Sequence, residues 1–281
     1  MSYWILKRER IIDLYSKTKS KLMDLNTLSL PIEAVIKKTG DLVLSYFHQT
    51  ASYREKETGE LVTEADLASE RYLIEQLTKL LPGAAVIGEE LGYTDGSNDY
   101  CWVIDPLDGT TNFIHQLPYF CISVALTYKG EPIFGAVYQP LTKEYFYTLR
   151  GQGAFLNGRK IQVSDLSHID KSVIVIGFPY KKGERFEHML HLMSEIAPKT
   201  FAFRNFGAAA LDLAYVAAGR LDAVFFEDLA WWDVAAGMLL IKEAGGITSD
   251  FEGNPIDESY KTFLGAGPAL YKELQKLIVP C

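Results

Sequence analysis

Trp102-Val103-Ile104-Asp105-Pro106-Leu107-Asp108-Gly109-Thr110-Thr111-Asn112 joins an apolar run to two carboxylates three residues apart, then a glycine and two threonines. The apolar half suits a short buried strand. Pro106 removes a backbone donor and fixes φ, so the chain is expected to leave the sheet there, with Asp105 and Asp108 at its mouth. Asp108 to Thr111 can then open a helical turn, whose unpaired amides and positive dipole end favour an anion. Carboxylates beside an anion site would repel the ligand. A hard divalent cation between them removes that conflict, because Mg²⁺ takes oxygen ligands and shares its shell with substrate phosphate. An isolated Asp-Gly turn capping a helix has the same local pattern, and only further acids brought to the same place separate the two.

The bulk of the chain is that of an ordinary globular protein, with 281 residues, 48% of them hydrophobic and 23% charged. That length supports one large core or two lobes sharing one. A formal net charge of −8 argues against nucleic-acid binding, which needs a basic footprint. Cys101, Cys121 and Cys281 are odd in number and form no C-x-x-C pair, so neither a disulfide framework nor a zinc site is indicated. Charged residues Lys7 to Arg10 interrupt the first apolar letters, leaving no signal peptide or membrane span at the N-terminus. A cytoplasmic location without membrane attachment is the expectation.

Residues 1–28 read as a basic, weakly amphipathic helical extension. Pro31 is placed at the start of a second helix, with Gly40 as a point of close helix packing. Tyr53 to Gly59 is polar and turn-like, and Lys56 lies close to the Leu61 to Asp66 segment. Thr63 and Asp66 stand in the relation of a capping box ahead of a helix that ends at Pro82-Gly83. Ala85 to Gly88 is a short strand ending in Glu89-Glu90, which could meet the Asp105 cluster at one sheet edge.

From Cys121 to Val163 the pattern is an antiparallel meander, with Asn157-Gly158 as a hairpin signal. Beyond it strands and helices alternate: strands at 172–178, 200–206, 222–227, 247–249 and 262–265, and helices at 184–197, 208–219, 233–245 and 268–278. The division is therefore an N-terminal α+β lobe over 29–168 and a C-terminal α/β lobe over 169–281. Asp233 is expected as an N-cap. Asp212, Asp222, His188 and His191 are expected at the surface.

Together, Lys56, Asp66, Glu89-Glu90, Asp105-Pro-Leu-Asp-Gly-Thr-Thr-Asn112 and Trp232-Asp233-Val-Ala-Ala-Gly237 resemble the inositol monophosphatase family, from about Glu33 to the end of the chain. The resemblance implies an α/β layered αβαβα sandwich, a homodimer, and a lithium-sensitive hydrolase that uses two or three Mg²⁺ per subunit. It implies Glu89, Asp105 and the Leu107 carbonyl as ligands of one Mg²⁺. A second would be held by Asp105, Asp108 and Asp233, and a third, through water, by Glu90. It makes Asp66 and Thr110, with Glu89, the groups that prepare the attacking water. Phosphate would rest on the amides of Gly109 and Thr110, with Lys56 on a loop nearby.

On the substrate side the resemblance points to Asp108, Ala208, Glu227 and Asp233. Five residues separate Glu227 from Asp233, against six in the usual pattern, so the alcohol is left open between inositol and other sugar or nucleotide phosphates. Fructose 1,6-bisphosphate, 3′-phosphoadenosine 5′-phosphate and NADP are the alternatives. Some relatives also act by binding RNA polymerase or RNA-processing partners, the alternative of another class. An aspartyl-nucleophile phosphatase needs D-x-D-G-T, and here two residues, Pro106 and Leu107, separate the acids.

Overall fold

The computed structural model describes residues 25–49, 53–56 and 59–278. In chain order the elements are α1 (Leu25–Phe47), β1 (Tyr53–Glu55), β2 (Leu61–Thr63), α2 (Glu64–Leu80), β3 (Ala85–Gly88), β4 (Gly92–Thr94), β5 (Tyr100–Asp108) and α3 (Thr110–Ile114). The meander comes next as β6 (Cys121–Tyr128), β7 (Glu131–Gln139), β8 (Glu144–Leu149), β9 (Ala154–Leu156) and β10 (Arg159–Ile161). The remainder is β11 (Val173–Ile176), α4 (Glu184–Ile196), β12 (Ala202–Arg204), α5 (Ala209–Ala217), β13 (Ala223–Glu227), α6 (Trp231–Glu243), β14 (Ile247–Ser249), β15 (Thr262–Ala266) and α7 (Pro268–Ile278).

Strand alternation builds the layers. In the eight-stranded sheet, ordered β10-β9-β8-β7-β6-β5-β3-β4, Trp102 and Ile104 face Ile36, Val43, Leu73 and Leu77 of α1 and α2. The intervening Val103 faces the other way, with Ala125 and Val137, into a core shared with α5 and α6. Those helices in turn cover Val175, Val224 and Phe226 of the five-stranded sheet β12-β11-β13-β15-β14. The opposite face of that sheet, Ile174, Ile176 and Phe225, is closed by Met189, Leu192, Leu270 and Leu274 of α4 and α7. The result is an αβαβα stack. Burial on both faces explains why the central strands read as unbroken apolar runs. Close approach of the middle layer depends on Gly135, where a Cβ would come within 2.8 Å of the Ala236 carbonyl.

Several local expectations change. Pro31 lies inside α1, whose described part begins at Leu25; the rest of the 1–28 extension lies outside the described residues. Gly40 packs on the Tyr138 ring of β7 rather than on a helix. Tyr53 to Glu55 is not a turn but pairs antiparallel with β2. Pro106 does not end its strand: β5 runs to Asp108, and its pairing with β6 shifts register between Asp105 and Asp108. A bulge there absorbs the residue that lacks an N–H. The Asn157-Gly158 turn has φ of 48° and 79°, both left-handed as the hairpin signal requires. Among the described residues, Cys101 and Cys121 are free, and no helix is long and apolar enough to cross a membrane.

Candidate active site

β3 and β5 are parallel neighbours, with Gly88 opposite Ile104. Their next residues, Glu89 and Asp105, are thus carried side by side, close enough for each charge to act on the other. The bulge turns Asp108 to the same cavity, and the first turn of α6 adds Asp233. Asp233 is the third residue of that helix rather than its N-cap, and its Oδ2 reaches back to accept from the Ala230 amide at 2.8 Å.

Each acid is held by protein donors. Lys56 Nζ donates to Glu89 Oε1 at 2.7 Å and to Glu90 Oε1 at 2.5 Å. Asp108 accepts from the amides of Ala209 at 3.1 Å and Ala210 at 2.7 Å, capping α5 from a distant part of the chain. Asp105 Oδ1 accepts from the Leu107 amide at 3.0 Å. Among the described residues no three acids close into a ready ligand cluster. They converge on one cavity while each remains tied to protein donors.

The charge balance favours such a cation. Burial, then the charges of Glu89, Asp108 and Asp233, holds the Asp105 carboxyl well above the usual range. Burial and then Asp108 and Glu89 do the same to Asp233. Burial raises Glu89 to about 8 although the Lys56 ammonium opposes it. Asp108 is pushed by burial up to about 6, against the Ala210 and Ala209 amides. Hard oxygen donors that raise one another are the donor set a divalent cation takes. The Lys56 ammonium between Glu89 and Glu90 is a cation already accommodated there.

Opposite these acids stands a completed capping box. Asp66, fully buried, accepts on Oδ2 from the Thr63 amide at 2.8 Å and its hydroxyl at 2.5 Å. Its Oδ1 faces the Thr110 hydroxyl at 2.9 Å, and that hydroxyl also lies 3.0 Å from the Leu107 carbonyl. Burial raises Asp66 to about 6, partly offset by the Thr63 and Thr110 hydrogen bonds. Gly109 has φ of 95°, and a Cβ there would lie 3.1 Å from that of Ala208. This close seating needs glycine. Asn112 fastens the approach to α5, donating to the Phe206 carbonyl at 2.7 Å.

Glu70, which the sequence pattern did not single out, supports the whole edge. It is fully buried, and its carboxylate accepts from the amides of Glu90 at 2.8 Å and Leu91 at 3.1 Å. Its signal was present: Asp66, Glu70, Leu73 and Leu77 fall on one helical stripe that is otherwise apolar, where an acid needs a partner. A Cβ on Gly88 would lie 1.8 Å from Glu70 Oε1. We expect Gly88→Ala to expel that carboxylate, loosen the Glu89-Glu90 turn, and lower kcat/KM by about 10- to 100-fold, as for other supports of metal ligands. Steady-state kinetics with a Mg²⁺ titration checks this; unchanged kinetics would remove Glu70 from the site.

Other expectations are corrected. Asp212 is not a surface residue: it is 2% exposed, lines the cavity and accepts from the Tyr119 hydroxyl at 2.6 Å. Asp222 is partly buried and ties the start of β11 through the Val173 amide. His188 is exposed as expected, but it does have an acidic partner, its Nδ1 lying 2.9 Å from Glu227 Oε2.

The cavity has a volume of about 510 Å³. One wall is Glu89, Asp105, Asp108, Thr110 and Asp233; the other includes Tyr180, Lys181, Asn205, Ala208 and Asp228. Asp228, rather than Glu227, lines it at the end of β13.

The family described as inositol monophosphatase matches over residues 24–280. A Pseudomonas aeruginosa protein named Nus factor SuhB is 45% identical over 208 residues, 72% of this chain and 77% of the relative. A Synechocystis inositol-1-monophosphatase is 38% identical over 260 residues, 91% of this chain and 90% of the relative. The crystal structure of the extragenic suppressor protein suhB from Bartonella henselae superposes with a TM-score of 0.86 at 32% identity, covering 90% of this chain and 98% of that one. The chain belongs to the inositol monophosphatase family, a family of metal-dependent phosphoric monoester hydrolases.

Proposed function

We propose that this chain is a Mg²⁺-dependent phosphatase of small phosphorylated polyols or nucleotides. The observation that carries this reading is the gathering of Glu89, Asp105, Asp108 and Asp233 on one cavity wall, with the Asp66–Thr110 contact beside them. Glu89, Asp105 and the Leu107 carbonyl would hold one ion, Asp105, Asp108 and Asp233 a second, and Glu90 a third. The chemistry Mg²⁺ supplies when bound is neutralisation of charge on the phosphate and leaving oxygen, and acidification of water.

The remaining work falls to the chain's own groups. The Thr110 hydroxyl can take a water proton while passing its own to Asp66 Oδ1, 2.9 Å away. With Oδ2 occupied by the two Thr63 donors, only Oδ1 is turned to Thr110. The amides of Gly109 and Thr110, at the left-handed entry to α3, are proposed to receive the phosphate oxygens. Ala208 forms the floor on which the substrate rests. Asp108, anchored by α5, keeps its place as charge changes around it. Glu227 is turned to His188, which weakens its assignment to the alcohol. We propose a cytoplasmic homodimer by family likeness, a mass that size-exclusion chromatography with light scattering reports.

Phosphate release from a panel of monoesters, with and without Mg²⁺, tests the reading. Turnover that requires Mg²⁺ and is suppressed competitively by Li⁺ is expected. Absence of turnover on every ester would leave the second reading, a partner-binding role of the kind implied by relatives named Nus factor SuhB.

A further inference from the structure

We infer that the pocket between α1 and the start of β8 is a second binding site, separate from the catalytic cavity, and that it takes a small oxyanion such as phosphate. The pocket holds about 450 Å³. Its lining includes Glu33 and Lys37 of α1, Lys143 just before β8, Tyr145 and Tyr147 of β8, and the turn at Asn157; it shares no residue with the catalytic cavity. The inference does not depend on the phosphatase reading.

Strand alternation builds the floor. Tyr145 and Tyr147 face α1, while Phe146 between them faces the core shared with α5 and α6. Tyr147 stacks on the rings of Tyr145 and Phe155, 5.3 Å from each, which holds the Tyr145 ring in place. Tyr145 is 1% exposed, and its hydroxyl has no hydrogen-bond partner among the described residues. Buried hydroxyls are paired in native proteins as a rule, so an orphan beside a pocket is a binding group. Burial first, then the Glu33 charge, keeps the proton on this phenol, so the hydroxyl lies within reach of Glu33 and serves as a donor.

The charges around it favour an anion. Glu33 is the one acid among the described lining residues, and Lys37 Nζ pairs with its Oε1 at 2.6 Å. The ammonium of Lys143 makes no salt bridge or hydrogen bond among the described residues and is the surplus charge. Its backbone is fixed by the turn: Asn157 Nδ2 donates to the Lys143 carbonyl at 3.1 Å, and Asn157 Oδ1 accepts from the Tyr145 amide at 3.0 Å. Nothing lies within 4 Å of the place a Cβ on Gly158 would take, so the rim is open on that side. A donor hydroxyl, an uncompensated ammonium and no free carboxylate suit negative oxygen. A cation would meet the surplus ammonium, and an apolar ligand would leave the hydroxyl unpaired.

The probe is inorganic phosphate, titrated into the full-length protein at fixed ionic strength in EDTA, which withholds metal from the catalytic cavity. Wild type, Tyr145→Phe and Lys143→Ala are followed by phosphorus NMR and by melting temperature. Saturable binding is expected in wild type. Tyr145→Phe is expected to weaken it by about two- to tenfold, the range of one neutral hydrogen bond, and Lys143→Ala by about tenfold or more, the range of a charged one. Without phosphate, Tyr145→Phe should melt no lower than wild type, because it removes a buried group that has no partner. Mg²⁺-dependent turnover should be unchanged in both variants.

A Tyr145→Phe protein that melts lower without phosphate and responds to phosphate as wild type does would show a hydroxyl bound to water alone, and would overturn the inference. Equal phosphate-dependent shifts in all three proteins would be the general stabilisation by an excluded anion, and would overturn it too. So would the lack of saturable binding in wild type.

Discussion

Asp105→Asn is expected to abolish most Mg²⁺-dependent turnover, by at least about a hundredfold, while making the metal-free protein more stable at pH 8. The activity estimate is a floor, since even residues that only support metal ligands cost about 10- to 100-fold. Under the proposed assignment Asp105 would be shared by both principal ions; in the structure its Oδ1 accepts from the Leu107 amide, and Glu89 and Asp108 lie close enough to raise its carboxyl.

The stability effect has the opposite sign because the acids repel one another. Burial raises Glu89 to about 8 and Asp108 and Asp66 to about 6, above the value near 4 of an unfolded carboxylate. Groups raised in this way contribute stability when protonated and lose it as pH climbs from about 4 towards 8. Metal-free wild type should therefore melt lower at pH 8 than at pH 6 on their account. Mg²⁺ should flatten that slope, since it needs the deprotonated ligands. In Asp105→Asn one buried carboxyl held well above its usual range is gone, so the metal-free melting temperature at pH 8 should rise by about 2–4 °C for each kcal/mol relieved. Calorimetry at both pH values, with EDTA and with Mg²⁺, measures this. A metal-free variant that melts lower than wild type, or retains Mg²⁺-dependent activity, would show that Asp105 is a structural acid.

Thr110→Val is expected to lower kcat by about 10²- to 10⁴-fold, the range of general-base assistance, with KM little altered. The change keeps the side chain's shape and removes only the hydroxyl that faces Asp66 Oδ1 at 2.9 Å and the Leu107 carbonyl at 3.0 Å. Asp66 keeps both Thr63 donors, so the start of α2 should hold. Asp66→Asn is expected to match the loss of activity and also to destabilise the fold by about 1 kcal/mol, since it disturbs a helix cap. Equal activity loss with different thermal shifts would separate proton handling from capping. Undiminished kcat in Thr110→Val would remove the hydroxyl from the reaction.

Much of the architecture was legible because both faces of the central strands are buried, which leaves long apolar runs, and because Asn157-Gly158 and Thr63-x-x-Asp66 obey local turn and cap chemistry. The acids of the cavity wall were legible as a set because Glu89, Asp108 and Asp233 sit where a strand or helix begins or ends, and Asp105 stands beside the proline that breaks the regular pairing of its strand. Glu70 and Asp212 were not, although both fall on apolar stripes. An acid on such a stripe signals that it needs a partner but not which one, here the amides of Glu90 and Leu91 or the Tyr119 hydroxyl.

Pro106 illustrates the limit of local rules. Its missing N–H forbids regular pairing, yet a bulge lets β5 continue and aims Asp108 at the α5 amides. The choice between Glu227 and Asp228 lies further still from the local pattern. Both are acids at the end of one strand, and spacing alone only marked the region as displaced. Which carboxylate enters the cavity depends on α4, whose His188 takes the first and whose Arg185 orients the second. Linear order carries the chemistry of residues that meet their partners within a turn or a strand end. Partners separated by tens of residues are brought together by packing, and there the burial of α4 against its sheet decides which side chain lines the cavity.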